Sequence, residues 1–358
     1  GLCLAWVRQI RIRDVRNIQD ETVDLHPGLN VFFGRNAQGK TSLLEAVGLV
    51  ARGRSFRTDD APSVIRRGAE GLVAQAEAGE ATGTAALEVE VQPGRRTFRI
   101  DGHDVAPREY HGRLEVVVYS TDRLRVAKGS MRDRRQFLDR SAAALWPSYR
   151  GALREFERVL VQRNAALEAR RRDEEAWTER FLESGARLRH RRAAYAARLT
   201  AALASGFRPG GEAYEVLVPG AGGSEQDEQG ALAEQIAAVL PRERAAGRSL
   251  AGPHRDAVGL RLDGRDVAEG ASSGQARSLL LALTLASLRV YREETGRAAV
   301  ALLDDLDSEL DGERAGAVCA EVARRGQALV TSAHPAWAES LKPLGRIYHV
   351  SEGRVRCA

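Results

Sequence analysis

The alternation of apolar and polar positions predicts a β-rich first third of the chain with one helix inside it. Apolar and basic residues alternate from Trp6 to Ile12, which is the two-residue period of a half-buried strand. The short apolar run Leu29–Phe33 is typical of a buried strand, and apolar residues at helical spacing follow from Ser42 to Val50. Further strands are predicted at residues 22–25, 86–91, 97–100 and 114–119, with a polar and basic loop at 52–58.

Between Met131 and about Leu203 the strand patterns give way to helical spacing. Residues 150–200 are dense in Ala, Glu and Arg and contain no proline, so we predict two or three amphipathic helices that form a short antiparallel arm turning near Arg172–Glu174. The segment holds 13 arginines against 8 acidic residues. This excess leaves two interpretations open, a solvated helical face and a surface that contacts DNA phosphates.

The last third alternates helices and strands, an order that predicts parallel strands. Before it, residues 205–229 are rich in Gly, Ser and acids and are predicted to form a flexible loop, and a short helix at 231–240 is predicted to stop at Pro241. The remaining predicted elements are a hairpin at 258–267, a helix at 275–291, a strand at 298–303, a helix at 312–325, a strand at 328–331 and a strand pair near 346–355.

The segment between the buried strand and the first helix fits the phosphate-loop pattern G-x-x-x-x-G-K-[ST] at every fixed position. Its glycines allow backbone N–H groups to surround phosphates, and the helix N-terminus adds positive potential. Lys40 is expected to reach the β- and γ-phosphates and Thr41 to ligate Mg²⁺. Lys40, Lys128 and Lys342 are the only lysines of the sequence, so a lysine at this position is informative. The predicted ATP-binding residues here are Gly34, Arg35, Asn36, Ala37, Gln38, Gly39, Lys40, Thr41 and Ser42.

A second nucleotide motif lies at the end of the predicted strand 298–303, where Asp304 and Asp305 follow an apolar run. In phosphate-loop ATPases an acid at this place holds Mg²⁺, and we assign that role to Asp304. The next acid, Asp305, is placed to orient and deprotonate the attacking water, so Asp305 and Lys40 are the predicted catalytic residues. Taken alone the pattern also fits a strand that runs into a helix cap.

The loop Ala271–Gln275 opens the long apolar helix and offers a hydroxyl and free N–H groups to an anion. One γ-phosphate has no need of two anion sites in the same subunit, so Ser272, Gly274 and Gln275 are predicted to serve the nucleotide of a second copy. The chain is therefore predicted to form an ATP-dependent homodimer. The local alternative is an ordinary Ser N-cap with a capping Gln at the third helical position.

Composition narrows the class of protein. At 358 residues one or two domains are expected, and the net charge of +5 is compatible with nucleic-acid binding, although a GC-rich genome also enriches arginine. Cys3, Cys319 and Cys357 lack metal-ligand spacing, and no apolar run approaches the ~20 residues of a transmembrane helix. With no evident signal peptide, these features predict a cytoplasmic protein.

The order of these motifs resembles ABC-type ATPase heads, and the long insertion before a late signature loop resembles their SMC-like DNA-repair branch. Within that branch the chain resembles the RecF family. The more specific segments are Arg54–Thr58, Lys128–Asp139, Gln162–Leu167 and Gly252–Asp256, together with the phosphate loop and Leu302–Asp311. The resemblance implies an α/β fold, an ABC-type (SMC-like) ATPase head with an inserted helical lobe carrying short antiparallel helices. Residues 1–125 and 296–358 would form the nucleotide-binding lobe, and residues 126–295 the helical lobe with the signature loop.

The resemblance also implies a function in recombinational DNA repair. Proteins of this family dimerise on ATP, bind DNA, hydrolyse ATP weakly and act with RecR and RecO to help load RecA at gaps. The expected cofactors are ATP and Mg²⁺, and the expected DNA is double-stranded or a junction of double- and single-stranded DNA. Ser272 and Gly274 would face the partner subunit's γ-phosphate, Asp311 would lie near the dimer interface, and Arg16 and Asn17 would contact the nucleotide. His334 stands where ABC heads keep a histidine that senses the γ-phosphate of the nucleotide; the alternative is a surface histidine at the end of a strand. The candidate DNA contacts are Arg54, Arg57, Arg154, Arg158 and Arg163.

Several positions depart from the pattern of ABC heads. Asp305 stands where Glu is usual, which suits slow hydrolysis; should it not be the base, Glu309 and His334 are the next candidates. Ala271 replaces a usual Leu, and Ser120-Thr121-Asp122 stands where a Q-loop glutamine is expected. Two further functions remain open: a nucleotide-gated recruitment module with incidental turnover, and the ATPase subunit of an ABC transporter. The arginine-rich insertion and the missing glutamine disfavour the transporter.

Overall fold

The computed structural model describes residues 6–58, 60–80, 83–208, 211–220, 222–308 and 310–358. The strands are β1 (Trp6–Val15), β2 (Ile18–Asp24), β3 (Leu29–Phe33), β4 (Leu72–Glu80), β5 (Gly83–Gln92), β6 (Arg95–Ile100), β7 (His103–Asp104), β8 (Val116–Tyr119), β9 (Tyr214–Leu217), β10 (Gly259–Leu262), β11 (Arg265–Asp266), β12 (Val300–Leu303), β13 (Ala328–Ser332), β14 (Gly345–Ser351) and β15 (Arg354–Cys357). The helices are α1 (Lys40–Arg52), α2 (Pro107–Tyr110), α3 (Arg125–Lys128), α4 (Met131–Leu145), α5 (Pro147–Glu168), α6 (Glu174–Ala204), α7 (Glu225–Ala246), α8 (Val267–Gly270), α9 (Ser273–Thr295), α10 (Gly312–Arg325) and α11 (Pro335–Ser340).

The chain divides into two compact units, one made of the residues up to Arg123 together with Leu288–Ala358, the other of Leu124–Ser287. The first unit holds two sheets. An antiparallel sheet has the strand order β2-β1-β4-β5-β6-β7, and a largely parallel sheet has the order β15-β14-β3-β13-β12-β8. Helix α1 packs against β1, β4 and β5 of one sheet and against β13 of the other, and its apolar residues join the core of this unit. The phosphate loop at the start of α1 is thereby anchored to both sheets.

The second unit is mainly helical. Helices α5 and α6 pack as a hairpin whose turn covers residues 169–173, as the sequence predicts, and α6 also contacts α4 and α7. A three-stranded antiparallel sheet with the order β11-β10-β9 completes it. Among the described residues no helix is both long and apolar enough to cross a bilayer.

Buried ion pairs give the second unit much of its polar interior. Arg189 and Asp256 pair with only 2% and 5% of their side chains exposed, and Arg192 binds Asp139 through two nitrogens at 2.9 and 3.0 Å. Arg134 is fully buried on Asp266. Three of the segments that carry the family resemblance supply members of such pairs: Arg134 and Asp139 in 128–139, Arg163 in 162–167 and Asp256 in 252–256. These four side chains therefore have a structural role.

Arg163 corrects one of the predicted DNA contacts. Its side chain is fully buried, and its guanidinium donates to Glu243 at 2.6 Å, to Ser249 at 2.7 Å and to Thr178 at 3.1 Å. A guanidinium with this much of its donor capacity used inside the unit does not reach DNA phosphates. Arg154 and Arg158 of the same helix are exposed.

Two predictions for residues 205–246 are wrong. The predicted loop contains β9, which pairs with β10 from Tyr214↔Leu262 to Leu217↔Gly259, a partner too distant in sequence for local patterns to show. The predicted stop at Pro241 lies inside α7. A proline there costs ~3 kcal/mol of helix stability. The helix continues because tertiary contacts hold it on both sides of the proline: Leu232 and Ile236 are buried before it, and Glu243 is paired with Arg163 after it.

Strand β4 is absent from the predicted elements. It pairs with β1 and β5 in the centre of the antiparallel sheet. Its inward positions include Ala74, Ala76 and Ala78, all buried. Alanine is a poor strand former, so the two-residue period is present but carries little β signal.

Candidate nucleotide-binding site

The phosphate loop joins β3 to α1 with the backbone bends that the motif requires. Gly39 has φ 113° and Ala37 has φ 63°. At Gly34, φ is 157° and a Cβ atom would lie 2.2 Å from the Val350 carbonyl oxygen, so the strand end tolerates only glycine. The Gly34 N–H donates to the Ser332 carbonyl at 3.3 Å, which ties the loop to β13.

Lys40 crosses the loop from its helical side. Its ammonium donates to the carbonyl oxygens of Gly34 at 2.7 Å and Arg35 at 3.0 Å. Burial lowers the pKa of Lys40, and the carboxylates of Asp305, Asp304 and Asp307 oppose that shift. Phosphate oxygens would be stronger partners than two neutral carbonyls, because a charge-assisted hydrogen bond is about twice as strong as a neutral one.

Thr41 and Asp304 meet although 263 positions separate them in the sequence. The Thr41 hydroxyl donates to Asp304 at 2.9 and 3.2 Å, and the Thr331 hydroxyl donates to the same carboxylate at 2.7 Å. Burial raises the pKa of Asp304 to about 6, a shift that the nearby Asp305 increases and the two threonines and Arg57 reduce. A buried carboxylate with an uncompensated desolvation cost is a place where a cation is stabilising.

The donor set fits Mg²⁺. One hydroxyl and one carboxylate are hard oxygen ligands, and Mg²⁺ takes few protein ligands because water and nucleotide phosphates complete its shell. Within the described ranges no group of three or more His, Cys, Asp or Glu residues is arranged to hold a metal. A two-ligand site completed by phosphates is compatible with that finding.

Asp305 follows the metal-ligand candidate in a strained backbone conformation with φ 51°. Its N–H donates to Thr331 Oγ1 at 2.8 Å, so the same hydroxyl supports both acids. Burial raises the pKa of Asp305; Lys40 and His334 oppose the shift and Asp307 adds to it. A carboxylate with a raised pKa beside a lysine is suited to accept a proton from water. Glu309, one of the two alternative candidate bases, lies outside the described residues.

His334 lies just after β13, where its Nδ1 is 2.8 Å from Asp307 Oδ2. The Ser332 hydroxyl donates to the same carboxylate oxygen and accepts the His334 N–H at 2.9 Å. The sequence pointed to His334 but gave Asp307 no role. Their contact joins two loops 27 positions apart, and only the fold brings them together.

Asn17 and Arg16 support the phosphate loop and α1. Asn17 accepts from the Ser42 hydroxyl at 3.1 Å and donates to the Ala37 carbonyl at 3.4 Å. Arg16 binds the buried Glu45 of α1 at 2.9 and 3.0 Å. Asn17 is therefore in contact with the loop itself, whereas Arg16 acts on the helix behind it.

The position of the missing Q-loop glutamine is occupied by an ion pair. Arg57 Nε lies 2.9 Å from Asp122 Oδ2, and the charge of Arg57 also acts on Asp304. Ser120 is fully buried and accepts the Asp122 N–H at 3.3 Å. Arg57, predicted as a DNA contact, is thus placed beside the nucleotide site; Arg54 is exposed.

The turn between β14 and β15 supports the phosphate loop, a contact that the sequence did not indicate. Gln38 Oε1 accepts the Glu352 N–H at 2.7 Å, and the Gln38 carbonyl accepts the Gly353 N–H at 2.8 Å. A Cβ on Gly353 would lie 2.5 Å from the Asn17 carbonyl oxygen. This close approach of three segments requires glycine.

The signature loop lies in the second unit and has the geometry of a capping box. The Ser272 N–H donates to Gln275 Oε1 at 2.8 Å, and the Gln275 N–H donates to Ser272 Oγ at 3.1 Å. Ser272 and Gly274 are exposed. The local capping role is therefore present, and it leaves the outer surface of the loop accessible to a second molecule.

Arg134 anchors the segment that leads into the signature loop. Its guanidinium donates to both carboxylate oxygens of Asp266 at 2.9 Å, and to the carbonyls of Val258 and Ala127. Asp266 in turn caps α8 by accepting the Ala268 N–H at 2.9 Å. This bidentate pair fixes the hairpin and the short helix immediately before the loop.

Sequences similar to this chain are found among DNA replication and repair proteins. The profile of the family described as RecF/RecN/SMC N terminal domain matches residues 6–356. A DNA replication and repair protein RecF from Symbiobacterium thermophilum is 36% identical over 344 residues, 91% of each chain. The protein of the same name from Acidothermus cellulolyticus is 34% identical over 99% of this chain and 100% of its own length.

Solved structures of other proteins share the fold of this chain. The structure of the recombination mediator protein RecF with ATP, from the RecFOR pathway, has a TM-score of 0.90 at 24% identity and covers 99% of this chain and 100% of its own. An Smc head domain from Pyrococcus furiosus has a TM-score of 0.60 at 12% identity, covering 99% and 96%. The predicted fold class, an α/β ABC-type (SMC-like) ATPase head with an inserted helical lobe, is confirmed.

Proposed function

We propose a function for this chain from one premise: it belongs to the RecF family within the RecF/RecN/SMC group. The proposed activity is ATP-dependent DNA binding in replication and repair, with slow hydrolysis of ATP. One observation carries it, the meeting of Thr41 with Asp304 beside the buried Lys40. Phosphate-loop ATPases use this constellation to bind ATP with Mg²⁺ and to transfer its terminal phosphate.

Each residue of the site has a task in that activity. Lys40 and the N–H groups of residues 34–42 bind the phosphates, and Thr41 and Asp304 would hold Mg²⁺, which when bound neutralises charge on the phosphates. Asp305 orients the attacking water and accepts its proton. Asn17 keeps the loop in place, and Arg57 with Asp122 sets the charge beside Asp304.

The dimer is proposed from the signature loop. Ser272, Gly274 and Gln275 would contact the γ-phosphate held by a second copy, with Asp311 near the interface, so that two ATP molecules close the dimer around DNA and hydrolysis opens it. Relatives carry names of DNA replication and repair, and one solved relative is assigned to the RecFOR pathway. We therefore propose RecR and RecO as partners and the loading of RecA at gaps as the purpose.

Sedimentation velocity tests this function. The chain should shift from monomer to dimer with ATP and Mg²⁺ and remain monomeric with ADP, because only ATP supplies the phosphate that the second subunit contacts. DNA should further stabilise the ATP form. Lys40→Met is the control, since it should bind ATP weakly and stay monomeric. A dimer of equal strength with ADP would exclude the γ-phosphate as its cause.

DNA binding should depend on exposed arginines of α5. The double variant Arg154→Gln with Arg158→Gln should weaken binding and lower the slope of log affinity against log salt by about 2, since each lost phosphate contact removes roughly 0.9. Titrations at several salt concentrations on DNA of unrelated sequences give the slope.

A matched control removes the same charge elsewhere. Arg324→Gln with Arg325→Gln, on α10, should leave the slope nearly unchanged; both arginines lie near Glu321, at 3.5 and 2.7 Å. Equal losses in the two double variants would mean that net charge, not the arm, governs DNA binding.

A further inference from the structure

Asp307, Ser332 and His334 form a connected group to which the hydrolysis scheme above gives no task. His334 Nδ1 lies 2.8 Å from Asp307 Oδ2, and Ser332 donates to that same oxygen. The His334 N–H donates to Ser332 Oγ at 2.9 Å. The imidazole ring and its backbone are thus held by one acid and one hydroxyl.

The exposure of the two ionisable partners is opposite. The Asp307 side chain is 4% exposed, whereas the His334 side chain is 64% exposed. An ionised carboxylate only accepts hydrogen bonds, so the hydrogen between them belongs to Nδ1. Nε2 is consequently the ring nitrogen available to a ligand.

The group lies beside the phosphate loop. Ser332 is paired in register with Phe33, the last residue before the loop, and its carbonyl accepts the Gly34 N–H at 3.3 Å. Burial lowers the pKa of Lys40 and raises that of Asp305. The negative charge of Asp307 raises the pKa of both groups, so it opposes the shift of Lys40 and adds to that of Asp305. Asp307 is therefore within electrostatic reach of the residues that would bind and hydrolyse ATP.

We propose that Asp307 is a positioning residue for ATP hydrolysis: it holds His334 by Nδ1 and so presents Nε2 to the terminal phosphate of ATP. This inference rests on the proposed ATPase function and extends it. With Nδ1 engaged by Asp307, Nε2 is the nitrogen that faces the phosphate, and a ring that carries hydrogen on both nitrogens donates one hydrogen bond to Asp307 and one to the phosphate. ADP lacks that phosphate, so the contact is specific to the ATP state.

A double-mutant cycle tests the inference. Asp307→Ala and His334→Gln should each lower kcat for ATP hydrolysis by about 10–100-fold, the usual effect of removing a group that orients a ligand, while KM for ATP changes less than about threefold. In the His334→Gln background Asp307→Ala should cause no further loss, because Asp307 acts through His334. A purely structural carboxylate would cost activity in either background.

Nitrogen-15 NMR gives a readout that does not depend on turnover. The side-chain signals of His334, assigned by their loss in His334→Gln, should show hydrogen on Nδ1 in the unaltered protein and a mixture of tautomers in Asp307→Ala. Should Asp307→Ala fold poorly, Asp307→Asn keeps the shape of the side chain without its charge, and the cycle is judged by the same criterion.

The possible results distinguish the positioning role of Asp307 from the proposed ATPase function. Hydrolysis by the unaltered protein with additive losses in the cycle overturns the positioning role and leaves the proposed ATPase function in place. Failure of the unaltered protein to hydrolyse ATP overturns both. Non-additive losses together with the Nδ1 tautomer support the inference.

Discussion

Replacing Asp305 with Asn is expected to lower ATP turnover at least ~10²-fold, the lower end for loss of a general base, while ATP binding and ATP-dependent dimerisation persist. The carboxylate is needed chiefly in the transition state, where it positions water and accepts a proton, so its loss acts on kcat more than on affinity. The trapped dimer should also release DNA more slowly. Turnover and the DNA off-rate are to be measured on one preparation of the variant.

Two neighbouring variants make this result interpretable. Asp304→Asn removes the predicted Mg²⁺ ligand and should impair Mg²⁺-dependent ATP binding and hydrolysis together, and Lys40→Met should weaken ATP binding itself. Near-normal hydrolysis by Asp305→Asn would move the base to His334 or Glu309. A variant that hydrolyses nothing yet supports repair fully would favour a recruitment module with incidental turnover.

Replacing Ser272 with Arg should abolish ATP-dependent dimerisation while the monomer still binds ATP. The exposed hydroxyl is proposed to meet the partner subunit's γ-phosphate, and a long side chain at that place blocks the approach sterically. ATP affinity of the monomer is governed by the phosphate loop of the same chain, so it should change little. Sedimentation with ATP and a nucleotide-binding titration measure the two properties.

Ser224 supplies a matched control, because it caps α7 with the same reciprocal geometry through Asp227. Ser224→Arg and Ser272→Arg should each cost about 1 kcal/mol of folding stability through loss of a cap. Only Ser272→Arg should prevent the dimer. If both variants dimerise at normal strength with ATP, the signature loop does not serve a second subunit.

Local patterns predicted the parts of the site that lie within one short segment. The strand Leu29–Phe33, the loop after it and the helix Gly312–Arg325 have the predicted bounds, since strand period, glycine spacing and helix caps all act over a few residues. The meeting of Thr41 with Asp304 was expected from the known pairing of these two motifs. These two residues are distant in sequence, but both were predicted to bind the same Mg²⁺, and that shared role placed them together.

Features that depend on tertiary packing were missed. Arg163 lies in the arginine-rich segment and was predicted to contact DNA. Only its burial against Glu243 shows that it is structural. Pro241 signals a helix end, yet contacts on both sides of it hold α7 continuous. Asp307 gains a partner only when the end of β13 is set beside it. In each case an interaction between distant segments overrides a local preference.

The position of β3 in its sheet has a consequence for biosynthesis. Leu29 pairs with Ala328 on one side and with Gly345 on the other, so both neighbours of β3 are synthesised about 300 residues after it. Gln38 likewise obtains its partners from Glu352 and Gly353. A ribosome-bound nascent chain therefore displays the phosphate-loop motif early but lacks the strands that shape it. We therefore expect nucleotide binding only after residues 328–353 have emerged and completed the sheet. Until then both edges of β3 are unpaired, which favours binding by chaperones or misassociation.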